Sequence, residues 1–153
     1  MERITSFTID HDVLVPGFYI SRKDGDITTY DLRTRRPNKG DYMSNAVMHS
    51  VEHMFATFAR NSEVSDKIVY FGPMGCQTGF YLLVRDIEPK KVFQITKEVL
   101  SQIIAHEGEV FGASAAECGH YENLDLEIAK EECRIYLAVL EKQTNMEFSY
   151  PTK

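Results

Sequence analysis

Residues 17–33, GFYISRKDGDITTYDLR, place apolar and β-prone residues at alternate positions on both sides of an Asp-Gly pair. A period of two marks a half-buried strand. Asp-Gly tolerates the positive φ of a tight turn, so this stretch predicts a β-hairpin. RRPNKGD then breaks the strand. From Ser44 or Asn45, either of which can cap a helix, the spacing changes to three and four. Val47, Val51, Phe55 and Phe58 form one stripe, widened by Met48, Met54, Ala56 and Ala59. The expected helix runs to about Arg60 and is apolar enough to be buried. KIVYFG and GFYLLVRD read as two more strands joined by PMGCQTG, a turn punctuated by Pro73, Gly75 and Gly79. A second helix is expected from Pro89 to about His106, with proline in the first turn, where its missing N–H costs nothing. GEVFGASAAECGHYENLD reads as loop with room for a short strand. A last helix is expected from about Leu124 to Lys142, with Ala129, Cys133, Tyr136, Leu137 and Leu140 on one face. The tail TNMEFSYPTK is expected to fray or to lie on a partner.

No repeat or low-complexity segment interrupts this order. It predicts one α+β domain over residues 1–153, a two-layer sandwich of antiparallel sheet with helices packed on one face. The length, 153 residues with 43% hydrophobic and 26% charged content, suits a soluble globular domain. The formal net charge of −6 argues against a protein that tracks nucleic-acid phosphates. The short basic run LRTRRPNK is better read as a solvated turn or an anion contact. The N-terminus has no signal-peptide pattern and no run approaches a membrane span, so a cytoplasmic protein is expected. Three cysteines, an odd number, argue against a disulfide scaffold there. Cys133 lies on the apolar face of the last helix and reads as core.

The first helix contains a puzzle. In AVMHSVEHMF three groups that are costly to bury sit among apolar neighbours. Residues four apart share a helix face, so His49 and His53 can point at one ion. Glu52 flanks that face and can reach a metal-bound water or substrate without being a ligand itself. A cation would satisfy all three. Two imidazoles are too few for a tight site, so a third ligand must come from elsewhere. Cys118 in AECGHY is the best candidate, with His120 and Glu117 as rivals in the same loop. Two imidazoles and a thiolate suit zinc or iron(II) rather than magnesium or calcium. Three ligands would leave a position open, the arrangement of a catalytic site. Cys76, in a glycine-flanked turn, is the other thiol of interest, because a nearby cation would hold it as thiolate. By themselves, His11 reads as a surface histidine and Arg33 as a salt-bridge residue whose fork could clamp a carboxylate.

Taken together, SFTIDH, DLR followed by PN, HSVEHMFATFAR, PMGCQTGFYL and CG near the last helix resemble the S-ribosylhomocysteine lyase (LuxS) family in order and spacing, over nearly the whole chain. The resemblance implies a lyase of autoinducer-2 synthesis (quorum sensing) and the activated methyl cycle. Such an enzyme cleaves S-ribosyl-L-homocysteine to L-homocysteine and 4,5-dihydroxypentane-2,3-dione by carbonyl migration and β-elimination. It further implies a homodimer with active sites at the interface and an iron(II) ion, replaceable by zinc or cobalt, with no organic cofactor. By family match His49, His53 and Cys118 are the metal ligands, and Glu52 and Cys76 the general acid/base pair. Ser6, Phe7, His11 and Arg33 match positions that line the substrate pocket in that family. The chain departs from the family pattern at Thr34, Arg35 and Arg36, which make that edge more basic. It departs again at Tyr70, where an acidic residue that helps hold the homocysteine end is common, and mildly at Ser50. Two rival readings remain. One is a zinc peptidase, since H-x-x-E-H is also a peptidase signature. The other is a non-catalytic, metal-stabilised binding module.

Overall fold

The computed structural model describes residues 1–152. Its sheet has four strands: β1 (Gly17–Asp24), β2 (Ile27–Arg33), β3 (Ile68–Pro73) and β4 (Gly79–Arg85), in the order β1-β2-β4-β3, with every pair antiparallel. The hairpin turns at Gly25, whose φ of +62° would strain a residue with a side chain. It is the first of two turn residues between Asp24 and Ile27, the glycine position of a type II′ turn.

Three helices, α1 (Asn45–Ala59), α2 (Pro89–Ala105) and α3 (Leu126–Lys142), cover one face. Cross-strand partners Phe18, Leu32 and Phe80 pave that face and meet Val51, Met54 and Phe55 of α1, Phe93 and Val99 of α2, and Tyr136 of α3 in one core. The next row, Tyr19, Asp31, Tyr81 and Gly72, faces away from the helices because side chains alternate along each strand. The expected α+β two-layer architecture is the one observed.

Four local expectations change. The buried side of α1 is Met48, Ser50, Val51, Met54, Phe55 and Ala59, whereas Val47 and Phe58 are only half-buried. The helix is rotated so that Ser50 enters the interior, where its Oγ accepts from the Asp125 amide at 2.9 Å. Accordingly α3 begins at Leu126, because the Asp125 carboxylate caps the Glu127 and Ile128 amides; residues 121–123 form a separate 3-10 turn. The loop before them contains no strand. Within its described residues, 144–152, the tail packs on its own chain, and Lys153 lies outside them. Phe148 is fully buried and sits between Phe18 and Phe93, with ring centroids 5.2 Å from each, and its carbonyl accepts from the Ile20 amide at 2.8 Å. The gap between two aromatic rings fixes the tail, a long-range cause with no local pattern.

Candidate metal centre and active site

Ser44 starts α1 by accepting from the Val47 amide at 3.2 Å. One turn later the helix presents His49 and His53 on the same side, ring centroids 4.6 Å apart and planes at 90°. Each ring is held from behind. His49 Nδ1 donates to Asn123 Oδ1 at 2.6 Å, and Asn123 in turn donates to Asn45 Oδ1 at 2.6 Å. His53 Nδ1 donates to the Phe111 carbonyl at 2.8 Å. The Phe111 ring packs on Phe58 and His106. Its neighbour Gly112 has φ +69°, and a Cβ there would stand 3.2 Å from His53 Nδ1, so the close approach of this loop requires glycine. With both Nδ1 atoms occupied as donors, each Nε2 is left with its lone pair, the form that binds metals.

Cys118 completes the group. Its loop is tightened by amides of Glu117 and Cys118 donating to the Ser114 carbonyl. Its Sγ lies 3.3 Å from His49 Nε2 and accepts from the His120 amide at 3.4 Å. The ligand atoms of His49, His53 and Cys118 all lie within 4.8 Å of one another, and no other such group of three occurs among the described residues. Around a tetrahedral ion with bonds of ~2.0–2.3 Å, neighbouring ligand atoms stand about 3.3–3.8 Å apart. The donor set suits a divalent zinc- or iron-type metal, and the 3.3 Å between Cys118 Sγ and His49 Nε2 falls in that range. The rivals fall away: Glu117 accepts from Ser114 Oγ, and His120 is exposed, its ring 6.3 Å from that of His49.

Glu52 and His53 line a cavity of about 360 Å³ with Arg60, Tyr70 and Phe111. Cys76 lies elsewhere in the chain. It is exposed in the β3–β4 turn and lines a different cavity of about 300 Å³ with His11 and Tyr42. Behind it, Sγ is 3.0 Å from Thr78 Oγ1, and Arg33 Nη1 donates to Thr78 Oγ1 at 2.8 Å and towards Sγ at 3.8 Å. The Arg33 fork does clamp a carboxylate, that of fully buried Asp31, at 3.1 and 2.6 Å. Ser6 lies in a short turn (Thr5–Phe7) over the outer sheet face, in a third cavity with Ser21, Thr29 and Tyr81; Phe7 is exposed.

Against this geometry, a family model described as S-Ribosylhomocysteinase (LuxS) matches residues 4–147. The chain belongs to the LuxS family. Relatives named S-ribosylhomocysteine lyase include that of Borreliella burgdorferi (strain ZS7), 45% identical over 157 residues and covering 99% of this chain and 100% of the relative. That of Clostridium beijerinckii is 48% identical over 136 residues, covering 85% and 86%. That of Phocaeicola vulgatus is 44% identical over 160 residues, covering 100% and 99%. These names favour neither the peptidase nor the non-catalytic reading.

The departures from the LuxS pattern now have places. Arg35 does not add to a basic edge: its guanidinium bonds the buried carboxylate of Glu132 and, at 2.6 Å, Asp41. Thr34 is buried against Met43 and Thr78. Arg36 is exposed. Tyr70 borders the cavity that holds Glu52, and its ring crosses Gly72, where a Cβ would be 2.2 Å from the Tyr70 hydroxyl. Asn123, Asn45, Phe111, Asp31, Thr78 and Tyr150 support the site residues; of these only Asp31, in DLR, and Thr78, in PMGCQTG, lie in a motif that the sequence analysis singled out.

Proposed function

We propose that this chain is an S-ribosylhomocysteine lyase, releasing L-homocysteine and 4,5-dihydroxypentane-2,3-dione, the autoinducer-2 precursor, from S-ribosyl-L-homocysteine. One conjunction carries the reading: a lyase-family match over residues 4–147 that contains two imidazoles and a thiol with ligand atoms inside 4.8 Å. His49, His53 and Cys118 would hold iron(II), with zinc or cobalt as replacements. When bound, such an ion supplies Lewis acidity that stabilises negative charge developing on the sugar oxygens.

The chain's own part is proton transfer by Glu52 and Cys76. In the open-chain sugar, a proton leaves C2 and one is returned to C1, while a hydroxyl proton passes to the former carbonyl oxygen; the carbonyl has moved to C2. Repeating the exchange moves it to C3. Loss of the C4 proton then expels the homocysteine thiolate from C5, and the remaining enol becomes the dione. No water is added and nothing is oxidised overall, so a thiolate and a carboxylate suffice as bases. Ser6, Phe7, His11 and Arg33 would orient the substrate.

The chain would act as a homodimer with shared sites, a reading supported by Glu52 and Cys76 bordering different cavities and by the exposed apolar residues Ile4, Phe7 and Tyr70. The protein would work in the cytoplasm; no helix among the described residues is long and apolar enough to cross a membrane. The test is release of homocysteine thiol from S-ribosylhomocysteine by anaerobically prepared protein. Cys76→Ala should keep its metal and lose turnover by about 10²–10⁴-fold. Unchanged turnover in that variant would remove Cys76 from the reaction, and peptide cleavage by the parent protein would overturn the lyase reading.

A further inference from the structure

The outer face of the sheet carries a polar chain whose far members, Asp31 and Tyr150, have no part in the reaction above. Its far end is the C-terminal tail. Tyr150 stacks on Tyr19, centroids 5.0 Å apart, and its hydroxyl donates to Asp31 Oδ2 at 2.7 Å. Asp31 is fully buried and its other partner is the Arg33 fork, bonded through Nε and Nη2. The remaining arm of Arg33, Nη1, reaches Thr78 Oγ1 and the Cys76 sulfur. A guanidinium is planar and rigid, so how Asp31 holds one edge decides where the opposite edge points.

We infer that Tyr150 is a positioning residue for the Cys76 thiol, acting through Asp31 and Arg33. The inference rests on the proposed role of Cys76. Two effects act in the same direction. The phenol takes up part of the Asp31 charge, so Arg33 presents more positive potential to the sulfur. It also occupies an Asp31 lone pair, so the carboxylate does not draw the guanidinium further from Cys76. Tyr150 is suited to a permanent donor role: burial, then the neighbouring Asp31 charge, hold its phenol proton well above the ordinary range. Other charged or titratable groups around the thiol are His11 and Tyr42, which border its cavity, and Tyr81, which senses its charge.

The test is the pH profile of Cys76 alkylation by iodoacetamide in metal-loaded protein, followed by peptide mass analysis. Cys133 is buried and its thiol is pushed up to about 12 by burial, which sets it apart from Cys76. Tyr150→Phe keeps the ring stacked on Tyr19 and removes only the hydroxyl. Its Cys76 profile should move to higher pH, with alkylation near neutrality about threefold slower, a shift of about half a unit. A chain ending at Ser149 keeps Phe148 in the core and should show the same displacement; it serves if Tyr150→Phe does not fold. A purely structural role would lower the melting temperature and leave the profile in place. A profile that superposes on the parent's, or moves to lower pH, overturns the inference. Absence of lyase turnover in the parent protein would instead count against the proposed function, since alkylation does not depend on it.

Discussion

Two thiols, Cys118 and Cys76, both sit on loops, yet they are held in opposite ways. Cys118 faces two imidazoles whose other nitrogens are engaged by an asparagine side chain and a backbone carbonyl. Every group there presents a lone pair inward, an arrangement completed by a cation. Cys76 faces a guanidinium and a hydroxyl, both of which can donate towards its sulfur. Surroundings rich in lone pairs suit a metal ligand, and surroundings rich in donors suit a base, the two roles proposed for Cys118 and Cys76.

The contrast should break most completely at His53. His53→Ala leaves two ligands, so metal content measured by mass spectrometry should fall to below about a tenth of the parent's, and thiol release with it. Alkylation of Cys76 should not change. Full metal occupancy in this variant would contradict the ligand set. A smaller effect is expected one layer back. Asn123→Ala frees His49 to rotate and should weaken metal binding by about ten- to a hundredfold in competition with a chelator. An affinity equal to the parent's would mean that the helix alone orients that ring. The smallest effect belongs to the start of the helix. Ser44→Ala removes the cap and should cost about 1 kcal/mol, a few degrees in melting temperature. Metal content should stay near the parent's, because the ligands lie a full turn further along. Loss of metal here would show that the helix end, rather than the loops behind the rings, sets the ligand geometry.

What could be read from the sequence was what local spacing controls. The hairpin showed in its alternation and its Asp-Gly pair, and α1 showed in Ser44 and its apolar spacing. The i, i+4 histidines followed from that helix, and Cys118 from the need for a third donor. What could not be read depends on partners far along the chain. Nothing local marks Asn123 as the support of His49, since the contact spans 74 residues. Arg35 looked like surface charge because its partner, Glu132, lies almost a hundred residues later on α3. Phe148 sits in a stretch without period and is buried only because Phe18 and Phe93 leave room for it. The rotation of α1 has the same origin: Ser50 turns inward to meet Asp125, a contact that spacing alone does not reveal.

An open sheet has two outermost strands whose free N–H and C=O groups invite pairing with other chains. Here side chains and the tail occupy part of both. Arg60 donates to the Ile68 and Val69 carbonyls of β3. On β1, the Gln143 side-chain amide both donates to and accepts from the Phe18 backbone, as a neighbouring strand would, and the Phe148 carbonyl takes the Ile20 amide. The first strand of the sheet is thus shielded by residues synthesised more than a hundred positions later. A ribosome-bound chain must carry that strand with an unsheltered border until residues 143–148 emerge, which is the interval in which this protein is most exposed to aggregation.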